Sequence, residues 1–283
     1  MITLKRIDHI SMGAPALQPQ AEWLERILGA RFGHSFKANA KSDFGGAVLG
    51  VRGTDIELEI IDPATPTSFV QKFLDESGPG LHHITAEVDD IEAACAELER
   101  QGIKPFGGIA DDGLWRLTYI HPKDSGGILW QLFVPKRPAA PSPQPSEGGL
   151  TGMLRIDHVS MAVADLKKQV EWQTRVLGME QVAEWTDESL GYTGAYLKIP
   201  GSLLNFEILQ PIRPDSFVQK FLNTRRPGMH HICCHVKSVD EAVAALRANG
   251  MEPLGGIVRT EGRTHTYIHP RDIGGVLFQL YEE

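Results

Sequence analysis

Eight polar side chains interrupt segments of the chain that are otherwise apolar, and they form the same set twice. Equivalent members of the two sets are 148 or 149 residues apart. A polar group that is buried without a partner costs on the order of a few kcal/mol, so the repetition of a whole set indicates a shared role. The first set consists of His9, Glu59, His83 and Gln131, and the second consists of His158, Glu207, His231 and Gln279.

Two imidazoles, one carboxylate and one amide oxygen are suitable ligands for a divalent first-row metal. We therefore predict that each set binds one divalent ion, with Fe, Mn, Co, Ni and Zn as candidates. A single anionic ligand would leave the ion with a net positive charge and with open coordination positions. Each residue could instead be a hydrogen-bonded member of the core, and the backbone alone could satisfy the amides of Gln131 and Gln279. The recurrence of the complete set favours the metal.

Each half of the chain contains two adjacent histidines in a strand-like segment, GLHHI and GMHHI. Successive side chains in a strand point to opposite faces, so only one histidine of each pair can face a given site. When the segment DHI, which contains His9, is superposed on the segment HHI, His9 matches His83 and not His82. We therefore predict that His83 and His231 face the metal, and that His82 and His230 face the other way.

The chain is a tandem duplication. A segment of Pro, Ser and Gly, PKRPAAPSPQPSEGG, separates the two copies, and its prolines favour an extended, solvated tether. We predict an N-terminal domain at 1–134, a linker at 135–152 and a C-terminal domain at 153–283. The matching segments are RIDHISMGAPAL and RIDHVSMAVADL, the two occurrences of SFVQKFL, and TYIHPKDSGGILWQL and TYIHPRDIGGVLFQL.

Apolar alternation and helical periodicity predict that each copy has the order β-α-β-β-β twice. His9 and Glu59 would lie on the first and last strands of one such module, and His83 and Gln131 on those of the next. A pseudo-two-fold axis between the modules would bring all four side chains to the centre of a cupped sheet. The fold class is therefore α+β, with four modules in two domains. The glycine-rich segments GGIADDG and GGIVRTEG are predicted to form mobile edges of the cup.

Composition narrows the range of partners and compartments. The chain has 283 residues, a net charge of −8 and no block of basic residues, which argues against nucleic acid as a partner. No apolar run approaches the roughly 20 residues that span a bilayer, and the first residues show no signal-peptide pattern. With three cysteines, too few for a disulfide framework, a reducing cytoplasm is the expected location.

The segments IDHI, GLHHI…EVDDIEAA and HPKDSGG resemble the vicinal oxygen chelate superfamily, which includes glyoxalase I, methylmalonyl-CoA epimerase, extradiol dioxygenases and bleomycin-resistance proteins. The similarity to the methylmalonyl-CoA epimerases extends over nearly all of both copies, here in a tandem form. It implies paired βαβββ modules around a metal, with the family's ligand positions on the eight residues given above. The epimerases usually have Glu at the last position, where this chain has Gln131 and Gln279. No residue matches the carboxylate base of the epimerases.

The resemblance implies a metal-dependent enzyme that acts on a small substrate with two neighbouring oxygens. Such an enzyme lowers the pKa of an adjacent C–H and stabilises an enediolate-type intermediate, as in epimerases, isomerases and glyoxalase-like lyases. Glu59 and Glu207 could also act as catalytic bases by leaving the metal transiently. The alternatives are an Fe(II) ring-cleaving dioxygenase and a non-catalytic protein that sequesters ligands, like the bleomycin-resistance proteins. Pairing of the copies or of two chains, as in a homodimer, would be compatible with the linker.

Several residues near the predicted metal ligands differ between the copies. Cys233 and His235 share a face with His231 by strand alternation, whereas the first copy has a threonine and a glutamate at these positions. Arg259, Arg263 and His265 also occur in the second copy only. These differences suggest that the two sites prefer different ligands.

Overall fold

The computed structural model describes residues 1–39, 42–137, 143–145, 147–260 and 262–283. Two eight-stranded sheets dominate the fold, and each is formed by one half of the sequence. This α+β architecture agrees with the two tandem domains of the vicinal oxygen chelate type that the sequence predicts. Among the described residues, no helix combines the length and the apolar character that a bilayer crossing requires.

The first sheet contains strands β1–β8 in the order β2-β3-β4-β1-β5-β8-β7-β6. Three helices connect these strands. The elements of this half are β1 (Leu4–Gly13), α1 (Leu17–Leu28), β2 (Arg31–Phe36), β3 (Phe44–Gly50), β4 (Glu57–Pro63), α2 (Phe69–Ser77), β5 (Gly80–Val88), α3 (Ile91–Arg100), β6 (Phe106–Asp111), β7 (Trp115–Ile120) and β8 (Leu129–Pro135).

The second sheet repeats this arrangement in the order β10-β11-β12-β9-β13-β16-β15-β14. Short 3₁₀ turns at Gly149–Thr151 and Pro270–Asp272 precede its first and last strands. The elements are β9 (Met153–Ala162), α4 (Leu166–Leu177), β10 (Glu180–Asp187), β11 (Tyr192–Lys198), β12 (Asn205–Pro211), α5 (Phe217–Thr224), β13 (Gly228–Val236), α6 (Val239–Ala248), β14 (Leu254–Thr260), β15 (Arg263–Ile268) and β16 (Leu277–Glu282).

The order β-α-β-β-β, twice in each copy, is confirmed, but the sequence pattern did not locate the outer strands. The first strand after each leading helix, β2 or β10, has mostly exposed side chains and so lacks the apolar alternation that marks a strand. The glycine-rich segments predicted as mobile edges form the outermost strands β6 and β14. In β6, Gly107 and Gly108 have φ values of 78° and 68°, at an irregularity in the register with β7. Glycine accommodates this irregularity because it adopts positive φ without steric cost.

In each sheet, the register of three neighbouring strands determines which of their side chains lie on the same face. In the parallel pair β5–β8, Thr85 lies opposite Gln131, and in the antiparallel pair β7–β8, Tyr119 lies opposite Gln131. Paired residues share a face, and so do residues two apart along a strand. The second half has the same register, with Cys233 and Tyr267 opposite Gln279.

Two compact units each combine parts of both halves of the sequence. The first comprises the described residues among 1–9, 82–140 and 159–230. Within it, the fully buried Trp130 and Phe206 rings lie 6.1 Å apart. The Gln169 side-chain amide donates to the Ser125 carbonyl at 3.0 Å. An element of the second copy therefore packs against one of the first.

The second unit comprises the described residues among 10–81, 141–158 and 231–283. Here Trp23 and Phe278 stack at 6.3 Å, and the Gln20 amide donates to the Ile273 carbonyl at 3.2 Å. The buried Thr151 hydroxyl, at the end of the predicted linker, donates to the Ile27 carbonyl at 2.9 Å. Residues 138–142 and 146 of that linker lie outside the described residues, and the domain limits 1–134 and 153–283 stay a prediction.

Candidate metal centres

Each sheet brings two histidines and one glutamate together. The groups are His9, Glu59 and His83, and His158, Glu207 and His231; all six side chains are buried, and within a group one donor atom of each residue lies within 4.8 Å of the others. Donors about 2.1 Å from an ion lie up to about 4.2 Å apart across it. The groups therefore need little movement to surround a divalent cation, and their donor chemistry fits one.

Three adjacent strands supply each group. His9 lies on β1, Glu59 on β4 and His83 on β5, and these strands are neighbours in the order β4-β1-β5. The second group uses β9, β12 and β13 in the same way. Each group therefore forms within its own copy of the repeat. The sequence alone did not decide whether the ligands come from one copy or from both.

A carboxylate beside the first histidine of each group fixes the orientation of its ring. The Asp8 carboxylate lies 2.8 Å from His9 Nδ1, and the Asp157 carboxylate lies 2.9 Å from His158 Nδ1. Burial raises the pKa of Asp8, but the hydrogen bond from His9 and the positive charge of Arg6 outweigh it, so that the pKa lies below its usual value. An anionic Asp8 holds the proton on Nδ1 and leaves Nε2 as the donor atom for a metal.

The two groups contain His83 and His231 and not the adjacent His82 and His230; that the adjacent side chains face away from the site stays a prediction. His82 Nδ1 lies 2.8 Å from His83 Nδ1. Burial lowers the pKa of His82 to about 4 and that of His83 well below its usual value, so both rings are neutral. His230 instead packs against Phe221, with ring centroids 4.7 Å apart, and burial lowers its pKa to about 4.

The two glutamines lie beside the groups but have different hydrogen bonds. Gln131 Oε1 accepts from the Thr85 hydroxyl at 2.9 Å, and the same hydroxyl lies 2.9 Å from His9 Nε2. Gln279 Oε1 lies 3.2 Å from His231 Nε2, and its amide nitrogen donates to the Tyr267 hydroxyl at 3.1 Å. Both amide oxygens are thus in reach of the centres, and their role as ligands stays a prediction.

The surroundings of the two centres contain Trp115, which the sequence did not single out, and Arg263, which it marked only as specific to the second copy. In the first half, Trp115 stacks against His9 at 6.2 Å and against Phe133 at 4.1 Å. In the second half, the Arg263 guanidinium lies 5.0 Å from the centre of the Tyr281 ring. Only the strand register reveals these neighbours.

Asp8 and Asp157 could have been found from the sequence. Both precede the first histidine of their set in the repeated segment RIDH.

Comparison with known proteins gives the same family for both halves. A family model described as Glyoxalase/Bleomycin resistance protein/Dioxygenase superfamily matches residues 8–119 and 157–268. The chain is 29% identical over 156 residues to the mitochondrial methylmalonyl-CoA epimerase of Homo sapiens, covering 53% of this chain and 88% of that protein. It is also 29% identical over 130 residues to an ethylmalonyl-CoA/methylmalonyl-CoA epimerase of Cereibacter sphaeroides, covering 44% of this chain and 96% of that protein.

One solved structure matches the chain over its whole length. It is a mutant of 4-hydroxymandelate synthase from Streptomyces coelicolor, with a TM-score of 0.73, 15% sequence identity, and coverage of 100% of this chain and 93% of that chain. At this identity the likeness shows the two-domain fold alone.

Proposed function

Since the chain belongs to the Glyoxalase/Bleomycin resistance protein/Dioxygenase superfamily, we propose that it is a divalent-metal-dependent enzyme that moves a proton next to a carbonyl group. The reaction class is that of an epimerase or isomerase, or of a glyoxalase-like lyase, through an enediolate-type intermediate. The substrate is a small molecule with two neighbouring oxygens. The observation that carries the proposal is the pair of buried His-Glu-His groups, each built within one copy of the repeat.

The residues of each centre have separable tasks in this proposal. The two histidines, the glutamate and the adjacent glutamine hold the metal, with His9, His83 and Gln131 in the first half. Asp8 keeps the His9 ring in the tautomer that presents Nε2. When bound, a divalent ion supplies Lewis-acid stabilisation of negative charge on a substrate oxygen. Burial of the group excludes water, which strengthens every electrostatic interaction in the site.

Glu59 and Glu207 are our proposed proton-transfer bases. A carboxylate that leaves the cation transiently can accept a proton from a substrate carbon bound beside that cation. Glu59 and Glu207 are the carboxylates in the two groups. The relatives named as epimerases support proton transfer of this kind.

A dioxygenase that uses Fe(II) is the second candidate, because two histidines and one carboxylate are also the ligands of non-haem iron oxygenases. A protein that only sequesters a ligand is the third. Turnover separates the first two from the third, and oxygen consumption separates the second from the first.

The test is a screen with metal-reconstituted protein in deuterated water. Methylmalonyl-CoA and α-hydroxy and α-keto thioesters are compared with hemithioacetals and catechols, and NMR follows deuterium incorporation next to the carbonyl. We expect metal-dependent exchange with at least one carbonyl substrate.

Loss of a general base typically costs about 10²–10⁴-fold in rate, so the double variant E59Q/E207Q should fall by that factor. E99Q changes an exposed helical carboxylate and is the matched control. Ring opening with oxygen uptake would instead favour the dioxygenase. Binding of a test compound without turnover or exchange would favour sequestration.

A further inference from the structure

The two centres differ in the residue at one equivalent position of the repeat. In the sheet, this position lies two strands away from the strand that carries His83 or His231. Trp115 begins β7 and Arg263 begins β15, and the two are equivalent positions of the repeat. Residues two apart on a strand share a face, so Arg263 lies on the same face as Tyr267. Tyr267 in turn lies opposite Gln279. Arg263 is therefore on the face that carries the second metal centre.

Aromatic stacking fixes the position of this guanidinium. It lies 5.0 Å from the centre of the Tyr281 ring. His235 stacks against the same ring, with the ring centroids 4.9 Å apart. Tyr281 is two residues beyond Gln279 on β16, a distance of about 7 Å along a strand. A positive charge is thus held beside Tyr281, which is the next residue on the same face of β16 beyond the amide that adjoins the metal group.

The equivalent place in the first half is apolar. Trp115 is stacked between Phe133 at 4.1 Å and His9 at 6.2 Å. An indole and a phenyl ring here offer a stacking surface but no positive charge.

The charges around these positions also differ. In the first half, Glu87 accepts from both Lys5 and Arg6 at 2.9 Å. Arg6 also pairs with Asp8 and Lys5 with Asp89 at 3.8 Å, so this cluster has no excess of positive charge.

In the second half, His235 replaces the glutamate, and Arg155 pairs with Asp157. Arg263 then adds a positive charge that has no equivalent in the first half. His265, on the same face as Arg263, has a buried Nδ1 without a hydrogen-bond partner among the described residues.

We infer that the second centre takes a substrate that carries an anionic group, a carboxylate or a phosphate, at the end distant from its reacting oxygens, and that Arg263 selects it. The first centre, with Trp115 at the same place, takes a substrate whose distal end is uncharged. This inference rests on the proposed function in that the reacting end of the substrate lies at the metal group.

The test compares two α-keto acids that have the same reacting end. 2-Oxoglutarate carries a distal carboxylate and 2-oxopentanoate a methyl group, and the phosphonate analogue of 2-oxoglutarate distinguishes phosphate from carboxylate. Calorimetry measures their affinity and stoichiometry with zinc-loaded and with metal-free protein. We expect tighter binding of one anionic probe at one site per chain. R263Q should reduce that preference about tenfold or more, as expected for a lost charge-assisted hydrogen bond.

Matched variants locate the effect. R263K keeps the charge and should retain part of the preference. R259Q removes a charge from the neighbouring strand, where Arg259 pairs with Asp240 at 2.7 Å, and should leave the preference for the distal anion unchanged. The exchange W115R should raise the stoichiometry for the anionic probe from one to two. Thermal unfolding of each variant verifies that it is folded.

Equal affinity for the keto acids with and without a distal negative charge, in both forms of the protein, would overturn the inference, and so would a preference that R263Q leaves intact. If the protein binds no metal but keeps a preference that depends on Arg263, the proposed function fails while this inference stands.

Discussion

The centre around His9 and His83 and the centre around His158 and His231 have the same donor atoms but different neighbours. Both groups are buried and both have an aspartate on the first histidine. Among the surrounding residues, the Trp115 indole stacks against His9 in the first half, and the Arg263 guanidinium lies against the Tyr281 ring in the second. The two halves of the duplicated chain thus share the His-Glu-His group and its aspartate, whereas the residues that surround the group differ.

The largest expected effect tests whether the two sheets are equally stabilised by packing on the face opposite Gln131 and Gln279. Trp130 and Phe278 are equivalent, fully buried residues, which pack on Phe206 and Trp23 respectively. W130A and F278A should each lower the free energy of unfolding by about 3–5 kcal/mol, measured by urea denaturation.

W130F sharpens this comparison, because the Trp130 indole N–H has no hydrogen-bond partner among the described residues. It should cost less than W130A, since it keeps most of the apolar volume and removes an unsatisfied donor. A W130F variant as unstable as W130A would contradict this account of the packing.

Substitution of Asp8 and Asp157 tests whether metal binding at the two candidate centres depends equally on the orientation of the His9 and His158 rings. D8N and D157N should each weaken metal binding about 10–100-fold at the affected centre, because an amide cannot hold the imidazole proton as the carboxylate does. Competition with a chromophoric chelator measures both affinities. D75N on the exposed face of α2 is the control, and unchanged affinity in both D8N and D157N would show that the aspartates have no part in the centres.

The repeated polar set made the two His-Glu-His groups predictable from the sequence, because strand alternation assigns His83 and not His82 to the same face as His9 and Glu59. The outer strands β2 and β10 were not predictable, since their exposed side chains carry no apolar pattern. The neighbours Trp115 and Arg263 depend on the register of β7 with β8 and of β15 with β16, which the connecting turns do not reveal. The packing of one copy against the other inside each compact unit depends on contacts between residues far apart in the sequence.

The smallest expected effect concerns the leading helices of the two halves. Asp165 caps α4 by accepting from the Lys168 N–H at 3.0 Å, whereas Ala16 provides no side-chain cap for α1. D165A should cost about 1 kcal/mol of stability. A16D should gain less than that, because Pro19 occupies the third helical position of α1 and has no N–H to be capped. Thermal unfolding compares the two, and an equal and opposite change would refute the role of Pro19.

The most direct test of the account is the metal content of single-histidine variants. At saturating divalent metal, elemental analysis should give two equivalents per wild-type chain and one in either H83A or H231A. The adjacent substitutions H82N and H230N should leave two, because those side chains are outside the groups. Absence of bound metal in the wild-type chain, or equal loss in H82N and H83A, would contradict the claim that each half builds its own metal centre.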